Sequence, residues 1–333
     1  MAKYWSCDAR THDEWVALGQ PSMFIGILYL TIGIVYLIIY IPCFIALIRS
    51  DLMKFSAFKF MAFLGVIDFI GLFNATFYCS YAAMIGMIYC MAPTLNYVMG
   101  VWAFTCWATC STTCVLLAAN RCIDLVSPNF GRLLYAGKKT YIWFIIPVLY
   151  ALYFIFFAGS CVFNSNTYAY AFDPFLGVPE RHGQIDIEHY PHMSLAVHNL
   201  AIPIALIIIY VSLCIILSAQ TRGIHGLRSQ NLGRVQRNTL IQAMMICSVD
   251  FIGALLYSYS NFFPVGKIYV IGGQIGWMSV HGVSGLTYLL FNKTIRNDVI
   301  RMFCKNRIKI TQTVTPATGH TSMKATASST QAY

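Results

Sequence analysis

The chain has 333 residues, 58% of them hydrophobic and 10% charged. A soluble domain carries roughly 25% charged residues, so a tenth cannot coat a water-exposed surface of this size. Disorder, a collagen-like chain and an ordinary cytosolic enzyme are excluded, and a membrane protein is left. The formal charge of +10 raises nucleic-acid binding until the basic residues are located. The 12 cysteines are too few for a disulfide scaffold, which takes roughly 8–10%.

In chain order, residues 1–21 are polar, with Asp8, Asp13 and Glu14, and lack a signal-peptide layout. The first apolar run is therefore expected to act as its own insertion signal. Seven runs follow that can cross a ~30 Å hydrocarbon core: 22–48, 60–86, 95–122, 141–163, 195–218, 239–263 and 268–291. Lipid offers a bare amide no partner, so each run is predicted to be a helix. Pro42, Pro147 and Pro203 fall inside runs 1, 4 and 5, which a bundle tolerates. No period of 20–50 residues indicates a solenoid or propeller. The predicted fold class is an all-α, seven-transmembrane helix bundle spanning 22–291.

After the last run, 292–310 places Ile295, Val299, Ile300 and Phe303 near helical spacing among Lys293, Arg296 and Arg301. That pattern predicts a short amphipathic helix on the membrane surface. Cys304 at its end is either an acylation site or a plain thiol. Residues 311–333 are rich in Ser, Thr and Ala and are expected to be a disordered cytosolic tail. Of the 22 basic residues, 18 fall on the side of the tail and four on the side of the N-terminus. This asymmetry puts the N-terminus outside and the tail in the cytosol. The positive charge then faces anionic lipid and not nucleic acid.

Ionisable residues within a bilayer are costly enough to imply a role. Asp68, Asp250 and His281 lie about 12, 16 and 15 Å deep from the cytosolic side, and His198 lies in run 5. His281 is expected to bridge the two carboxyl groups in one buried network; the alternative is an ordinary interhelical hydrogen bond at each. At the cytosolic end of run 3, Asn120-Arg121-Cys122 occupies the place of the acid–Arg–aromatic triplet of rhodopsin-type receptors. Arg121 is read as a G-protein switch residue, with an inner-leaflet anchor as the alternative. Run 7 has the spacing of the usual Asn-Pro-x-x-Tyr motif without its proline, and run 6 has no proline.

The outer halves of the runs are aromatic and sparsely polar, with Trp102, Tyr257, Tyr259, Gln274 and Trp277 as candidate ligand-pocket residues. An interfacial aromatic belt accounts for the same residues. Outside, Cys7 and Cys90 are the clear candidates for a disulfide; Cys90–Cys161 is the alternative, because 164–193 has no cysteine. His182, His189 and His192 crowd a loop near Glu188 but read as solvated, so no metal site and no cofactor are expected. The sequons at Asn74 and Asn292 fall within a run and in the cytosol.

The ordered string Asn120-Arg121-Cys122-Ile123-Asp124-Leu125, Phe172-Asp173-Pro174 and Gly273-Gln274…Trp277…His281-Gly282…Tyr288…Asn292-Lys293-Thr294-Ile295-Arg296 resembles nematode serpentine receptor class T chemoreceptors. The resemblance runs to about residue 303. It implies a G-protein-coupled receptor in the cilia of chemosensory neurons, with a small organic ligand, a heterotrimeric G protein and arrestin at the tail as partners. Ser284 departs from it, standing where a proline is expected after His-Gly-x. The competing class is a seven-span channel or transporter, but paired, interrupted halves are absent and polar groups to line a path are few. A retinal protein fails because no run interior holds a lysine, and an enzyme fails because no nucleophile–base constellation stands out.

Overall fold

A computed structural model describes residues 5–178, 192–223, 234–263 and 265–304. The chain begins with a short helix α1 (His12–Ala17), closed by a capping box in which Thr11 and Glu14 bond each other's backbone N–H. Next come α2 (Met23–Arg49), capped by the Ser22 hydroxyl, and α3 (Ser56–Phe73). A π-helical turn, Asn74–Tyr78, carries α3 directly into α4 (Cys79–Ile85), so the two cross as one path. Among the described residues the longest helix, α5 (Pro93–Val126), starts on a proline, whose missing N–H costs nothing in a first turn. It is followed by α6 (Pro128–Tyr135) and by a 3-10 turn that leads into α7 (Ile145–Phe157). After a hairpin come α8 (His192–Gly223), α9 (Arg234–Phe262), α10 (Lys267–Phe291) and α11 (Lys293–Cys304).

Among the described residues, six helical stretches are long and apolar enough to span a membrane: Met23–Arg49, Ser56–Ile85, Pro93–Val126, Gly137–Phe157, Ser194–Ile215 and Leu240–Tyr257. The seventh predicted span, α10, has 25 residues but is diluted by Gln274, His281, Ser284 and Thr287. All four are buried inside the bundle, so its polarity is turned inward and not toward lipid. α5 packs against α3, α7, α8 and α9, while α10 packs against α9, α2 and α3. Large apolar side chains cover the rim, among them Phe24, Ile38, Phe156, Phe157 and Ile208. A water-soluble monomer does not carry apolar surface on this scale.

The expectation that run 4 extends to residue 163 is corrected. The helix ends at Phe157, and Gly159 takes the left-handed conformation at φ 73°, which glycine adopts at no steric cost. The chain turns back as β1 (Val162–Asn164) and β2 (Ala169–Ala171), antiparallel with Phe163 opposite Tyr170. Asn96 at the start of α5 clasps this hairpin, donating to Phe163 O at 3.0 Å and accepting from Phe163 N at 2.7 Å. Tyr29 donates to Tyr168 O at 2.9 Å. The approach needs Gly100, because a Cβ there would stand 1.6 Å from the Cys161 carbonyl oxygen. A second apolar cluster joins Trp15, Tyr89 and Phe175 at this end. There a disulfide links Cys7 to Cys90, with Cα atoms 5.6 Å apart. Cys161 is a free, buried thiol donating to Gly100 O at 3.6 Å.

Candidate functional site

Two polar sites and one aromatic region occupy the bundle interior. At the end that carries α11, Arg121 is buried, with 7% of its surface exposed. Its guanidinium donates to Asn120 Oδ1 at 2.6 Å and to Ser56 Oγ at 3.2 Å, and pairs with Asp124 Oδ2. The Ser56 hydroxyl reaches Asn120 Oδ1 at 3.1 Å and Asp124 Oδ2 at 3.3 Å, sharing its one proton between them. Asn120 Nδ2 donates back to Ser56 at 3.0 Å. The four side chains therefore close a cluster between α3 and α5. Beside it, Lys59 donates to the Gly137 carbonyl, tying α3 to the segment after α6. Sequence reading named Asn120 and Arg121 and missed Asp124 and Ser56. Asp124 is three residues beyond Arg121 on one helix face, a spacing at which opposite charges meet.

At mid-bundle, Asp68 Oδ2 accepts from Tyr40 Oη at 2.8 Å and from Ser284 Oγ at 3.1 Å. Its Oδ1 accepts from Cys110 Sγ at 3.8 Å and faces His281 Nδ1 at 3.1 Å. A proton on Nδ1 makes that contact a hydrogen bond. One carboxylate thus holds α2, α3, α5 and α10 together. Ser284 matters here because a proline at that position would bring no donor. The expected His281 bridge to both carboxyl groups is corrected. Asp250 Oδ1 accepts instead from Ser111 Oγ at 2.9 Å. Asp250 Oδ2 and His281 Nε2 have no hydrogen-bond partner among the described residues. The His281 ring packs closely on the bare backbone of Gly71 on α3, where a Cβ would stand 2.7 Å from its Cδ2 and Nε2, and its Nδ1 meets Asp68.

Under the hairpin, three of the five pocket candidates face inward. Gln274 is fully buried, with Nε2 3.4 Å from Cys79 Sγ. Trp277 meets Tyr170 edge-on at 5.8 Å, and Tyr257 lies 5.8 Å from Trp107. The other two are corrected. Trp102 stacks on the half-exposed Phe73 along the α3–α5 seam, and Tyr259 is 50% exposed and stacks on Phe263. Both lie on the apolar rim, where an aromatic belt accounts for them. Sequence reading missed Tyr170, Asn74 and Trp107. Tyr170 donates to Asn74 Oδ1 at 2.5 Å, Asn74 donates to Met99 O at 2.8 Å, and Trp107 donates to Asn199 Oδ1 at 2.9 Å. Asn74 opens the π-helical turn, which no composition signal announces.

Asn292, the other sequon, caps α11 by accepting from Thr294 N and Ile295 N at 3.1 Å each. His182, His189 and Glu188, the side chains of His192 and Cys304, and residues 305–333 lie outside the described residues.

Comparison with known proteins agrees with this architecture. The chain is similar to the crystal structure of squid rhodopsin, with a TM-score of 0.59 at 12% identity over 92% of this chain and 94% of that one; at that identity the likeness is one of fold alone. It is 24% identical over 316 residues to serpentine receptor class T-55 of Caenorhabditis elegans, covering 94% of this chain and 84% of the relative. The model of the Srt family, described as serpentine type 7TM GPCR chemoreceptors, matches residues 1–312. This multi-pass membrane protein belongs to the Srt family of serpentine seven-transmembrane chemoreceptors.

Proposed function

We propose that the protein is a sensory receptor, and not an enzyme, that binds a small organic ligand from the hairpin side and activates a heterotrimeric G protein at the α11 side. The observation that carries this reading is the closed cluster around Arg121. A permanently charged, multidentate guanidinium is held at one bundle end by three polar side chains, Asn120, Ser56 and Asp124, whose contacts can be exchanged for others. A purely structural anchor would snorkel to the interface, whereas Arg121 is buried. The mid-bundle network at Asp68 joins four helices and is the natural element to repack between two states. At the other end, Gln274 Oε1 is buried with no hydrogen-bond partner among the described residues, close to Trp277 on the same helix. A polar group beside aromatic walls suits a small organic molecule.

The orientation follows from the 18-to-4 distribution of basic residues: the hairpin and disulfide face outside, and Arg121 and α11 face the cytosol. In this reading, the Ser/Thr-rich residues 311–333 meet arrestin, and the receptor resides in the cilia of chemosensory neurons.

The test is ligand-dependent nucleotide exchange on added Gα with the receptor in lipid nanodiscs, over a panel of small organic compounds. Exchange that depends on both ligand and Arg121 supports the proposal. Ligand-evoked current in cells lacking G proteins would establish the channel reading instead. An epitope at the N-terminus should stain intact cells, and one at the C-terminus only permeabilised cells; the reverse pattern refutes the orientation.

A further inference from the structure

Two thiols and a carboxylate meet between α5 and α9. Cys110 and Cys114 are four residues apart on α5, and so lie on one face of it. Their sulfur atoms and a carboxylate oxygen of Asp250 on α9 all lie within 4.8 Å of one another. Cys247, three residues before Asp250 on α9, lies next to this group and is not one of its three donors. Its thiol donates to the Cys114 carbonyl at 3.5 Å. All four residues are buried, with 0–2% exposure. Asp250 Oδ2 has no hydrogen-bond partner among the described residues, and a lone carboxylate oxygen in a dry interior is expensive.

We propose that Cys110, Cys114 and Asp250 form a binding site for a thiophilic d10 cation of the Zn²⁺ class, which clamps α5 to α9. The donor chemistry selects the ion. Mg²⁺ and Ca²⁺ require shells of oxygen ligands, and the side-chain oxygens near these thiols are few: Asp250, its neighbour Ser111, and Asp68, whose Oδ1 already accepts from Cys110 Sγ at 3.8 Å and lies with it and His281 in an overlapping group. Thiolates favour zinc or cuprous ions. A tetrahedron with zinc–ligand bonds of about 2.0–2.3 Å has edges of about 3.3–3.8 Å. Donors already within 4.8 Å reach that spacing by rotamer adjustment, without moving either helix. The spacing is that of a helix-borne site, with Cys110 and Cys114 at i,i+4 on α5 and Asp250 facing them from α9. On binding, each coordinating thiol releases its proton to solvent as the sulfur–metal bond forms. Affinity must therefore fall as pH falls. Nothing in this proposal depends on the receptor coupling to a G protein.

The experiment uses the full chain in nanodiscs, dialysed against zinc buffer and then freed of loose metal. One zinc per chain is expected by mass spectrometry. Cobalt substituted for zinc should give a thiolate-to-metal charge-transfer band. Removal of second-shell partners alone costs ~10–100-fold in affinity, so loss of a direct ligand in Cys110→Ser or Asp250→Asn should cost at least about 100-fold. Cys214→Ser, at an exposed thiol, should bind as the wild type does. Where a variant fails to fold, the wild type alone decides, because its unfolding midpoint must rise with zinc concentration. A chain that retains no zinc and shows no such rise overturns the proposal. Retention undiminished in either Cys110→Ser or Asp250→Asn overturns it as well.

Discussion

Replacing Asp124 by alanine should raise ligand-independent signalling. The Arg121 side chain is 9% exposed and that of Asp124 28%, and the two form an i,i+3 ion pair. Breaking a fully buried pair costs ~3–5 kcal/mol, and breaking an exposed one ~0–1 kcal/mol. The partial exposure of Asp124, together with the contacts that Arg121 keeps to Asn120 and Ser56, places this case at about 1–2 kcal/mol. If the cluster belongs to the resting state only, that energy comes off the resting state. At about 1.4 kcal/mol per factor of ten, the active-to-resting ratio rises roughly 5- to 30-fold. A receptor active in about 1% of molecules without ligand would then be active in roughly 5–25%. Asp124→Asn keeps an acceptor for the guanidinium and should give a smaller rise, while Arg121→Ala should reduce activation because the group that changes partners is gone. The assay is nucleotide exchange on Gα without ligand, at matched amounts of surface receptor. Unchanged exchange in Asp124→Ala, with normal surface delivery, would refute the reasoning and leave the cluster a structural anchor.

Three further outcomes are expected. Cys7→Ser and Cys90→Ser should each impair surface delivery, and the double variant should be no worse, since one bond is lost in every case. The 83-residue separation corresponds to about 4–5 kcal/mol in the chain-entropy model, an upper bound because inserted helices already restrain the intervening chain. The second concerns α1. The backbone N–H of Thr11, and then its side chain, hold the Glu14 carboxyl below the usual glutamate range. Its contribution is therefore present above the ordinary glutamate pKa and lost as pH falls through the depressed one. Amide protection in His12–Ala17, taken relative to the intrinsic exchange rate at each pH, should fall over that acidic window in the wild type, and an equal fall in Glu14→Gln would dismiss the linkage. Third, His281→Ala and Asp68→Asn should be strongly non-additive in basal activity, because the two side chains are in contact. His281→Ala and Asp250→Asn should be closer to additive; equal coupling in both pairs would contradict the geometry at Gly71.

How much of this was legible in the sequence depended on which residues give a helix its phase. The helices themselves were readable because hydrocarbon demands long apolar runs, and the observed boundaries of α2 and α10 fall within one residue of the expected ones. Run 4 misled because Val162 and Phe163, buried under the hairpin, are as apolar as residues facing lipid; only Gly159 hinted at a break. The inward faces were harder, since a helix apolar all round has no amphipathic period. Buried polar residues restore that period. On α10, Gln274, Trp277, His281, Ser284 and Tyr288 recur every three or four residues and are all buried, so Gln274 and His281 were enough to point Trp277 inward. On α9, Asp250 and Tyr257 are seven residues apart, nearly two full turns, and share a face. Tyr259, two residues further, is rotated by about 200° and had to face lipid if Tyr257 did not. On α5, Trp107 and Ser111 are one turn apart, and both bond inward to α8 and α9. Trp102 is five residues before Trp107, about 140° away, and belongs to the rim. An aromatic residue taken singly carries no phase; the buried polar residue on each helix sets its rotation.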